Sequence, residues 1–405
     1  MDNMVSFKEI EEAYDILKDV VKNTPLEKNR TFSKFTNSNV YLKLENLQNT
    51  GSFKIRGAYN KIFHLTDDEK KRGVVCASAG NHAQGVAHAS TLLGVKSTVY
   101  MPIFAPPTKI IATKGYGANV VLEGNTYDDA YAAAKKLADE KGLTFVPAFN
   151  DDFVIAGQGT IGIEIFEELK DVDVVVVPVG GGGLISGIAL ALKHLKPEIK
   201  IIGVEADGAQ SMKRSLEKNK IIPLKSMSTI ADGIAVKTPG DKTFEIIKKQ
   251  VDDFVVVDDE ETSKTLYMLL QRAKLVVEPA GAVSLAALIN KKINFPGKNI
   301  VSVISGGNIN LSLLTQIIER GMMQNNLMTR ISITAPDKPK VLKDVLTVLS
   351  NLRSNVVSIN HDRCTTSVPV GHVKLIITFQ ILGVEQIEII KKELEKKKLK
   401  YELLC

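Results

Sequence analysis

Lys54 is the residue on which a chemical reading of this 405-residue chain can be built. It stands in Lys43-Leu-Glu-Asn-Leu-Gln-Asn-Thr-Gly-Ser-Phe-Lys-Ile-Arg-Gly-Ala58, where Val40 to Leu44 has strand character and Asn49-Thr50-Gly51 is turn chemistry. Ser52 then reads as the cap of a helix carrying Phe53, Ile55, Tyr59, Ile62 and Phe63, with Lys54 one turn in, projecting from a βα junction. A lysine held rigidly over a crevice and withdrawn from water has a nucleophilic amine, which can form a Schiff base with an aldehyde cofactor. The ordinary alternative is a solvated surface lysine, one of 52 Lys+Arg.

Two other strand-to-helix turns are rich in small residues. Ser78-Ala-Gly-Asn-His-Ala-Gln-Gly85 follows the apolar run Val74 to Ala77, and Gly180-Gly-Gly-Gly-Leu184 follows Val174 to Val179. In the second, Gly180, Gly181, Gly182, Gly183 and Leu184 expose successive backbone N–H groups at a helix N-terminus, where the helix dipole also favours a phosphate. A dinucleotide site would want Gly-x-Gly-x-x-Gly. The sixth position is Ile185 counted from Gly180 and Ser186 counted from Gly181, so the spacing fails in both registers, although Glu205 sits about where a ribose-binding acid would. Glu205 reads instead as a strand-end residue or a cation ligand. Ser78, Asn81 and His82 fall at a helix start whose backbone donors suit a substrate carboxylate; a capped helix without a ligand is the alternative.

Lys54, these two turns, and Ser305-Gly-Gly-Asn308 after Ile300 to Ile304 follow one another in an order that resembles the pyridoxal-phosphate enzymes of the tryptophan-synthase-β structural type. The resemblance is closest to the threonine ammonia-lyases (threonine dehydratases) and covers roughly Ile10 to Asn326. It implies pyridoxal 5'-phosphate bound to Lys54 and cradled by the glycine loop, with Asn81 hydrogen-bonded to the ring hydroxyl and Ser305 facing the pyridine nitrogen. The amine of Lys54, once freed, would take the Cα proton of an amino-acid substrate. A hydroxyl at Ser305 can donate to an unprotonated nitrogen, so a strongly stabilised carbanion is not expected, and loss of a β-leaving group is favoured over racemisation or transamination. The implied reaction is elimination of water from L-threonine, giving 2-oxobutanoate and ammonia. L-serine should pass as well, since one methyl in a pocket is worth only ~1–3 kcal/mol.

In the related serine racemases a serine occupies the place of Ala79 and serves as an acid on the opposite face, and a second carboxylate occupies the place of Ser211. Racemisation and tight divalent-cation binding at Glu205 are therefore not expected, and no metal is assigned. A serine-specific ammonia-lyase or racemase is the competing enzyme. A non-catalytic amino-acid sensor is the competing reading from another class. Isoleucine biosynthesis and threonine catabolism both stay open, and the resemblance implies a homo-tetramer or homodimer.

The elements that must position these residues read as α/β. A helix from Phe7 to Val21 opens with a Ser6/Glu9 capping box. From Val74, strands (Val74–Ala77, Ser97–Met101, Asn119–Leu122, Thr144–Pro147) alternate with helices (Asn81–Leu93, Pro107–Lys114, Thr126–Lys141), the mark of a parallel sheet covered on both faces. A helix over Gly159–Leu169, a strand over Lys200–Val204, an irregular stretch around Pro223–Pro239, a strand over Phe254–Val257, helices over Glu260–Lys274 and Pro279–Asn290 and a strand over Asn299–Ile304 complete a catalytic domain, residues 1–327. By resemblance this domain is two-lobed, with a small mobile lobe near Tyr41 to Phe149 inserted in a larger one. Residues 328–405 change rhythm. Strand Arg330–Thr334, helix Val341–Leu352, strands Val356–Asn360 and His372–Gln380, helix Val384–Lys396 and strand Lys400–Leu403 make the ferredoxin-like βαββαβ order, which resembles an ACT regulatory domain. Amino-acid-binding ACT domains usually have Asp-Lys-Pro-Gly after the first strand; here Asp337-Lys338-Pro339-Lys340 puts a long cation where the glycine lets a ligand approach, so isoleucine and valine are expected to be weak effectors at best.

Composition removes several classes. The net charge is +6, of which the tail from Met328 supplies 13 basic against 8 acidic residues, leaving the body near neutrality with no footprint for nucleic acid. Cys76, Cys364 and Cys405 show neither metal spacing nor an even-numbered framework, which suits a reducing cytoplasm, and the first residues lack a signal peptide's basic and apolar regions. Val174 to Leu192 runs 19 residues without a charge, but Pro178 and four glycines break it, so a buried strand, a loop and a packed helix are expected rather than a membrane span.

Overall fold

The computed structural model describes residues 5–364 and 366–404; the expectations for the first residues and for Cys405 lie outside them. The chain divides into two compact units, Met1–Asn310 and Leu311–Cys405, so the break precedes the expected residue 328 and gives the second unit an additional helix.

The first unit begins with α1 (Phe7–Leu17), β1 (Leu26–Lys28), α2 (Arg30–Thr36), β2 (Asn39–Lys43), α3 (Lys54–Phe63) and α4 (Asp67–Arg72). It continues through β3 (Val74–Ala77), α5 (Asn81–Leu92), β4 (Ser97–Met101), α6 (Pro107–Gly115), β5 (Asn119–Leu122), α7 (Tyr127–Lys141) and β6 (Thr144–Phe145). Next come α8 (Asp152–Glu168), β7 (Val174–Pro178), α9 (Gly183–Leu195), β8 (Lys200–Ala206), α10 (Ser211–Glu217), α11 (Asp241–Gln250), β9 (Asp253–Val257), α12 (Asp259–Met268), α13 (Pro279–Ile289) and β10 (Asn299–Val303). The strands sort into two sheets. One has the order β1-β2-β10-β7-β8-β9, parallel except for β1, and the other has the order β5-β4-β3-β6, all parallel. The two-lobed α/β architecture is therefore present: between β2 and β7 the chain leaves the larger sheet, builds the smaller one and returns. Tyr41, the expected start of the small lobe, belongs to β2 in the larger sheet, and the smaller core begins instead with Ile55, Ala58 and Ile62 of α3 packed with Val74, Val86 and Val99.

The uncharged run Val174–Leu192 resolves into β7, buried at every residue, and the start of α9; no helix among the described residues is long and apolar enough to cross a membrane. Several boundaries moved for identifiable reasons. The first helix keeps its Ser6/Glu9 capping box but ends at Leu17, not Val21. Helix α8 starts at Asp152 rather than Gly159 because the Asp151 side chain caps the N–H groups of Phe153 and Val154. Its glycines are not breaks but contact points: a Cβ on Gly187 of α9 would lie 2.3 Å from the carbonyl oxygen of Ile155 and 2.5 Å from the nitrogen of Gly159, so the two helices meet backbone to backbone.

The second unit comprises α14 (Leu311–Gln324), β11 (Met328–Pro336), α15 (Pro339–Asn351), β12 (Val356–Asp362), β13 (His372–Gln380), α16 (Val384–Lys396) and β14 (Lys400–Leu403). Its sheet is antiparallel in the order β12-β13-β11-β14, the arrangement expected of βαββαβ, and Ile331, Ile333, Leu375, Ile377, Leu349 and Leu394 fill the space under the helices.

One polar cluster crosses the core of the first unit. Arg56 of α3 has no exposed surface and donates to both oxygens of Glu45 (2.8 and 2.9 Å) and both of Glu164 on α8 (2.6 and 2.9 Å), while Lys43 of β2 binds Glu164 at 2.8 Å and Glu168 at 3.1 Å. Removing one member leaves buried charges unpaired, which typically costs 3–5 kcal/mol. Arg56→Met is expected to lower unfolding free energy by about that amount. Urea denaturation checks it, and a loss below ~1 kcal/mol would show that the cluster carries little stability.

Candidate active site

Lys54 is the first residue of α3, not one turn in, and Ser52 does not cap it: the residue at the cap position is Phe53, without a side-chain bond. Ser52 is instead drawn into a backbone bridge with Gly306, and its buried hydroxyl has no partner among the described residues. The turn between β2 and α3 is thus shaped by the loop after β10, and Phe53 N–H donates to the Ser305 carbonyl at 3.2 Å. The Lys54 amine donates to the carbonyl of Ala148 at 2.9 Å. Burial pushes its pKa down to about 8, opposed by the nearby carboxyl of Glu278.

Phe149, next to Ala148, lies against the glycine loop. A Cβ on Gly181 would fall 2.3 Å from the Phe149 ring and one on Gly183 2.9 Å from its Cα, and Gly182 adopts φ +93°, so the loop is open only to glycine. Its Gly181 carbonyl accepts from Thr243 at 2.7 Å. The N–H groups of Gly181, Gly182, Gly183, Leu184 and Ile185 take no protein acceptor among the described residues, which leaves a row of donors at the positive end of a 13-residue helix.

Asn81 opens α5, the helix whose Gly85 packs against the Lys54 backbone, where a Cβ would lie 3.0 Å from the Lys54 carbonyl carbon. Its side-chain amide donates to Glu278 at 2.6 Å and accepts from Asn308 at 2.8 Å. Ser78 Oγ accepts from the N–H of Gly80 at 3.2 Å. His82 is buried and its Nε2 donates to the Val146 carbonyl at 2.9 Å; burial first, then the charge of Lys54, push its pKa down to about 3, so the ring is neutral. Its side chain thus faces Val146, and what it offers at the helix start is a backbone N–H. Ser305 is buried beside Phe53, and its hydroxyl makes no hydrogen bond among the described residues.

The four stretches singled out from the sequence therefore converge on Lys54. Glu278, at the cap of α13, was not anticipated. It is 5% exposed, touches Asn81, and is pushed up to about 7 by burial, with Asp232 adding to the rise while the Asn81 bond, Lys109 and Lys54 oppose it. Its only sequence signal was an acid directly before Pro279 at a helix start. Glu205 lies outside this cluster: its oxygens accept from the N–H groups of Met212 and Lys213 at 2.9 and 2.8 Å. Among the described residues no group of three His, Cys, Asp or Glu is placed to hold a metal.

A lysine amine beside a glycine-lined anion cradle, between two α/β lobes, defines a site for a phosphorylated aldehyde. The family model for pyridoxal-phosphate dependent enzymes matches residues 17–306, and the chain belongs to that family. It is 48% identical over 391 residues to the L-threonine ammonia-lyase of Thermotoga maritima, covering 96% of this chain and 97% of that one. It is 49% identical over 324 residues to the catabolic L-threonine dehydratase of Staphylococcus aureus, covering 79% and 94%. Among solved structures it is similar to threonine deaminase isoform 2 of Solanum lycopersicum (TM-score 0.74, 39% identity, 78% and 88% covered) and to maize serine racemase (TM-score 0.74, 34% identity, 79% and 98% covered).

The depressed amine has a direct consequence. At pH 8 about half of the Lys54 amine is free, against roughly one in 250 for a surface lysine with a pKa of ~10.4. In the cofactor-free chain, brief reductive methylation with limiting formaldehyde at pH 8 is expected to label Lys54 ahead of the exposed lysines, as read by peptide mass spectrometry. Labelling no faster than at those lysines would contradict it.

Proposed function

We propose that this chain is an L-threonine ammonia-lyase, converting L-threonine to 2-oxobutanoate and ammonia and, more slowly, L-serine to pyruvate and ammonia. The observation that carries this reading is the placement of the Lys54 amine on Ala148 and of the glycine loop on the adjoining Phe149, which sets a nucleophilic amine and an anion cradle at neighbouring points of one cleft. Pyridoxal phosphate fits those residues: Lys54 would hold its aldehyde carbon, the N–H groups of Gly181 to Leu184 its phosphate, Asn81 its ring hydroxyl, and Ser305 its ring nitrogen. When bound, it supplies the electron sink that stabilises negative charge at the substrate Cα.

The chain's own residues do the rest. Lys54, about half free as an amine at pH 8, takes the Cα proton. At the start of α5 the N–H groups of Ala79, Asn81 and His82, which take no acceptor among the described residues, would meet the substrate carboxylate, whereas the Ser78 N–H is spent on the Tyr100 carbonyl and Ser78 can offer only its hydroxyl. The Ser305 hydroxyl would donate to the ring nitrogen without adding charge, so negative charge at the substrate Cα would be only weakly held and departure of the β-hydroxyl favoured. Ala79 offers only a methyl group, with no proton to return to the opposite face, so elimination prevails over racemisation.

The tail supports association of like subunits in this reading. Its edge strand β12 carries Val357 and Ile359 half-exposed, a surface that a second copy would cover. Cys76 and Cys364 are free thiols, as a cytoplasmic enzyme would keep them. Lys340 lies exposed in the first turn of α15, and Asp337 before it is held by Arg363 at 2.9 Å, so the turn where an ACT domain takes an amino acid already has its acid paired and a cation at its mouth.

Assay with L-threonine and L-serine, with product identification and chiral analysis of residual serine, tests the reading. Expected are 2-oxobutanoate, pyruvate and almost no D-serine, with Lys54→Ala folded but lacking both turnover and the visible absorbance gained on adding pyridoxal phosphate. Normal turnover by Lys54→Ala, or abundant D-serine, would refute it. For the tail, titrating the whole enzyme with isoleucine and valine is expected to leave the threonine dependence unchanged and give no saturable heat. Saturable binding with a shifted threonine curve would overturn that part.

A further inference from the structure

A directed chain of hydrogen bonds runs from Asn308 through Asn81 to Glu278, with a second bond from Asn308 to the Thr50 carbonyl. The amide nitrogen of Asn308 donates to the carbonyl of Thr50 and to the Oδ1 of Asn81, both at 2.8 Å, and the Asn81 amide nitrogen donates onward to Glu278 at 2.6 Å. The chain joins four separate segments: the turn before Lys54, the loop after Ser305, the start of α5 and the cap of α13. Its direction is not a matter of choice. A backbone carbonyl such as that of Thr50 only accepts, so Asn308 must turn its NH₂ toward it; the same NH₂ then meets Asn81, which must present its oxygen; Asn81 is left with its NH₂ toward the Glu278 carboxyl. Reversing either amide would set two donors or two acceptors face to face. One Asn81 N–H is engaged by Glu278, and one remains.

The packing keeps this chain close to the loop after Ser305. A Cβ on Gly306 would lie 2.3 Å from Glu278 Oε1 and 3.2 Å from the Asn81 amide nitrogen, and a Cβ on Gly51 would lie 2.5 Å from Asn308 Oδ1. The glycines on either side of the cleft therefore leave room for the Asn81–Glu278 and Asn308 side chains and for little else.

We infer that Thr50, Asn308 and Glu278 act together as a positioning device that fixes which edge of the Asn81 amide faces the cofactor, with Glu278 as the terminal acceptor. This deepens the reading in which Asn81 binds the ring hydroxyl, and rests on it. The remaining Asn81 N–H is a donor whose aim is set from behind by two partners; without Glu278 the amide keeps one anchor, and with a carboxylate at position 308 it is driven to flip, presenting an acceptor to an oxygen that also accepts.

Three variants separate this from a merely structural role: Glu278→Gln, Glu278→Ala and Asn308→Asp. The readouts are the dissociation constant for pyridoxal phosphate and the pH midpoint of the visible absorbance band. A glutamine can still accept from Asn81 through its oxygen, so Glu278→Gln is expected to bind the cofactor within about threefold of the parent chain, as retention of a neutral acceptor implies. Glu278→Ala and Asn308→Asp are expected to weaken binding about tenfold or more and to displace the midpoint, the scale of one lost or reversed hydrogen bond. The inference is overturned if Asn308→Asp and Glu278→Ala bind with the parent affinity and midpoint, or if Glu278→Gln loses as much as Glu278→Ala. Should Glu278→Ala fail to fold, the near-isosteric Asn308→Asp carries the same comparison. Absence of any visible band in the parent chain would instead defeat the assignment of the cofactor to Lys54.

Discussion

A guanidinium with no exposed surface is costly to bury, since each ion taken from water carries a penalty of several kcal/mol unless every hydrogen-bonding direction is met. Arg56 meets that demand by reaching Glu45 and Glu164 with paired bonds, Thr160 with another and the Lys22 carbonyl with a last one. The consequence lies two residues upstream. Lys54 and Arg56 project from nearly opposite sides of the start of α3, so a guanidinium locked into α8 fixes where the amine emerges over the cleft. From α8 the constraint continues, because Gly159 and Gly187 bring α8 and α9 into backbone contact, and α9 begins at the glycine loop. The amine and the anion cradle are thus tied through a path of close packing and satisfied charge.

Around the cleft, burial acts in one direction on Lys54, His82 and Glu278. It lowers Lys54 to about 8 and His82 to about 3 and raises Glu278 to about 7, each toward its neutral form. Fixed dipoles remain where charge has been weakened: the N-terminus of α9, the N-terminus of α5, and the oriented amides of Asn81 and Asn308. In the proposed reading a phosphate and a carboxylate would be met there by backbone N–H groups at helix starts rather than by formal cations.

The parts of this site that were legible in the sequence are those made by local chemistry. Lys54, the Gly180–Leu184 run, the Ser78–His82 turn and Ser305 each follow a strand, and a strand end with small residues announces itself within ten positions. The misassigned Ser52 shows where that reasoning stops: its backbone pairs with Gly306, more than 250 positions away, and this pairing overrides a capping preference. Glu278 and the Arg56–Glu164 pair were invisible for the same reason, since the partners lie 197 and 108 positions off. The lobe insertion had no local signal either, because a parallel strand joining one sheet looks like a parallel strand joining another. The tail fared better: His372–Gln380, Val384–Lys396 and Lys400–Leu403 were placed to the residue, as their alternation and helical periodicity are set by one shared core.

Two strand ends of the larger sheet illustrate how similar settings are put to different ends. After β7 the chain turns on glycines and leaves the N–H groups at the start of α9 without acceptors among the described residues. After β8, by contrast, Glu205 folds back so that its two oxygens receive the N–H groups of Met212 and Lys213 at the start of α10, and burial holds its pKa up to about 7. The first helix start is left without a side chain to fill it; the second is filled by a carboxyl from its own preceding strand. A cation drawn to Glu205 would share oxygens that each already accept from a backbone donor, and the Ser211 hydroxyl is buried and unpartnered among the described residues. Glu205 thus receives the first N–H groups of α10, while those of the glycine loop at α9 take no acceptor among the described residues.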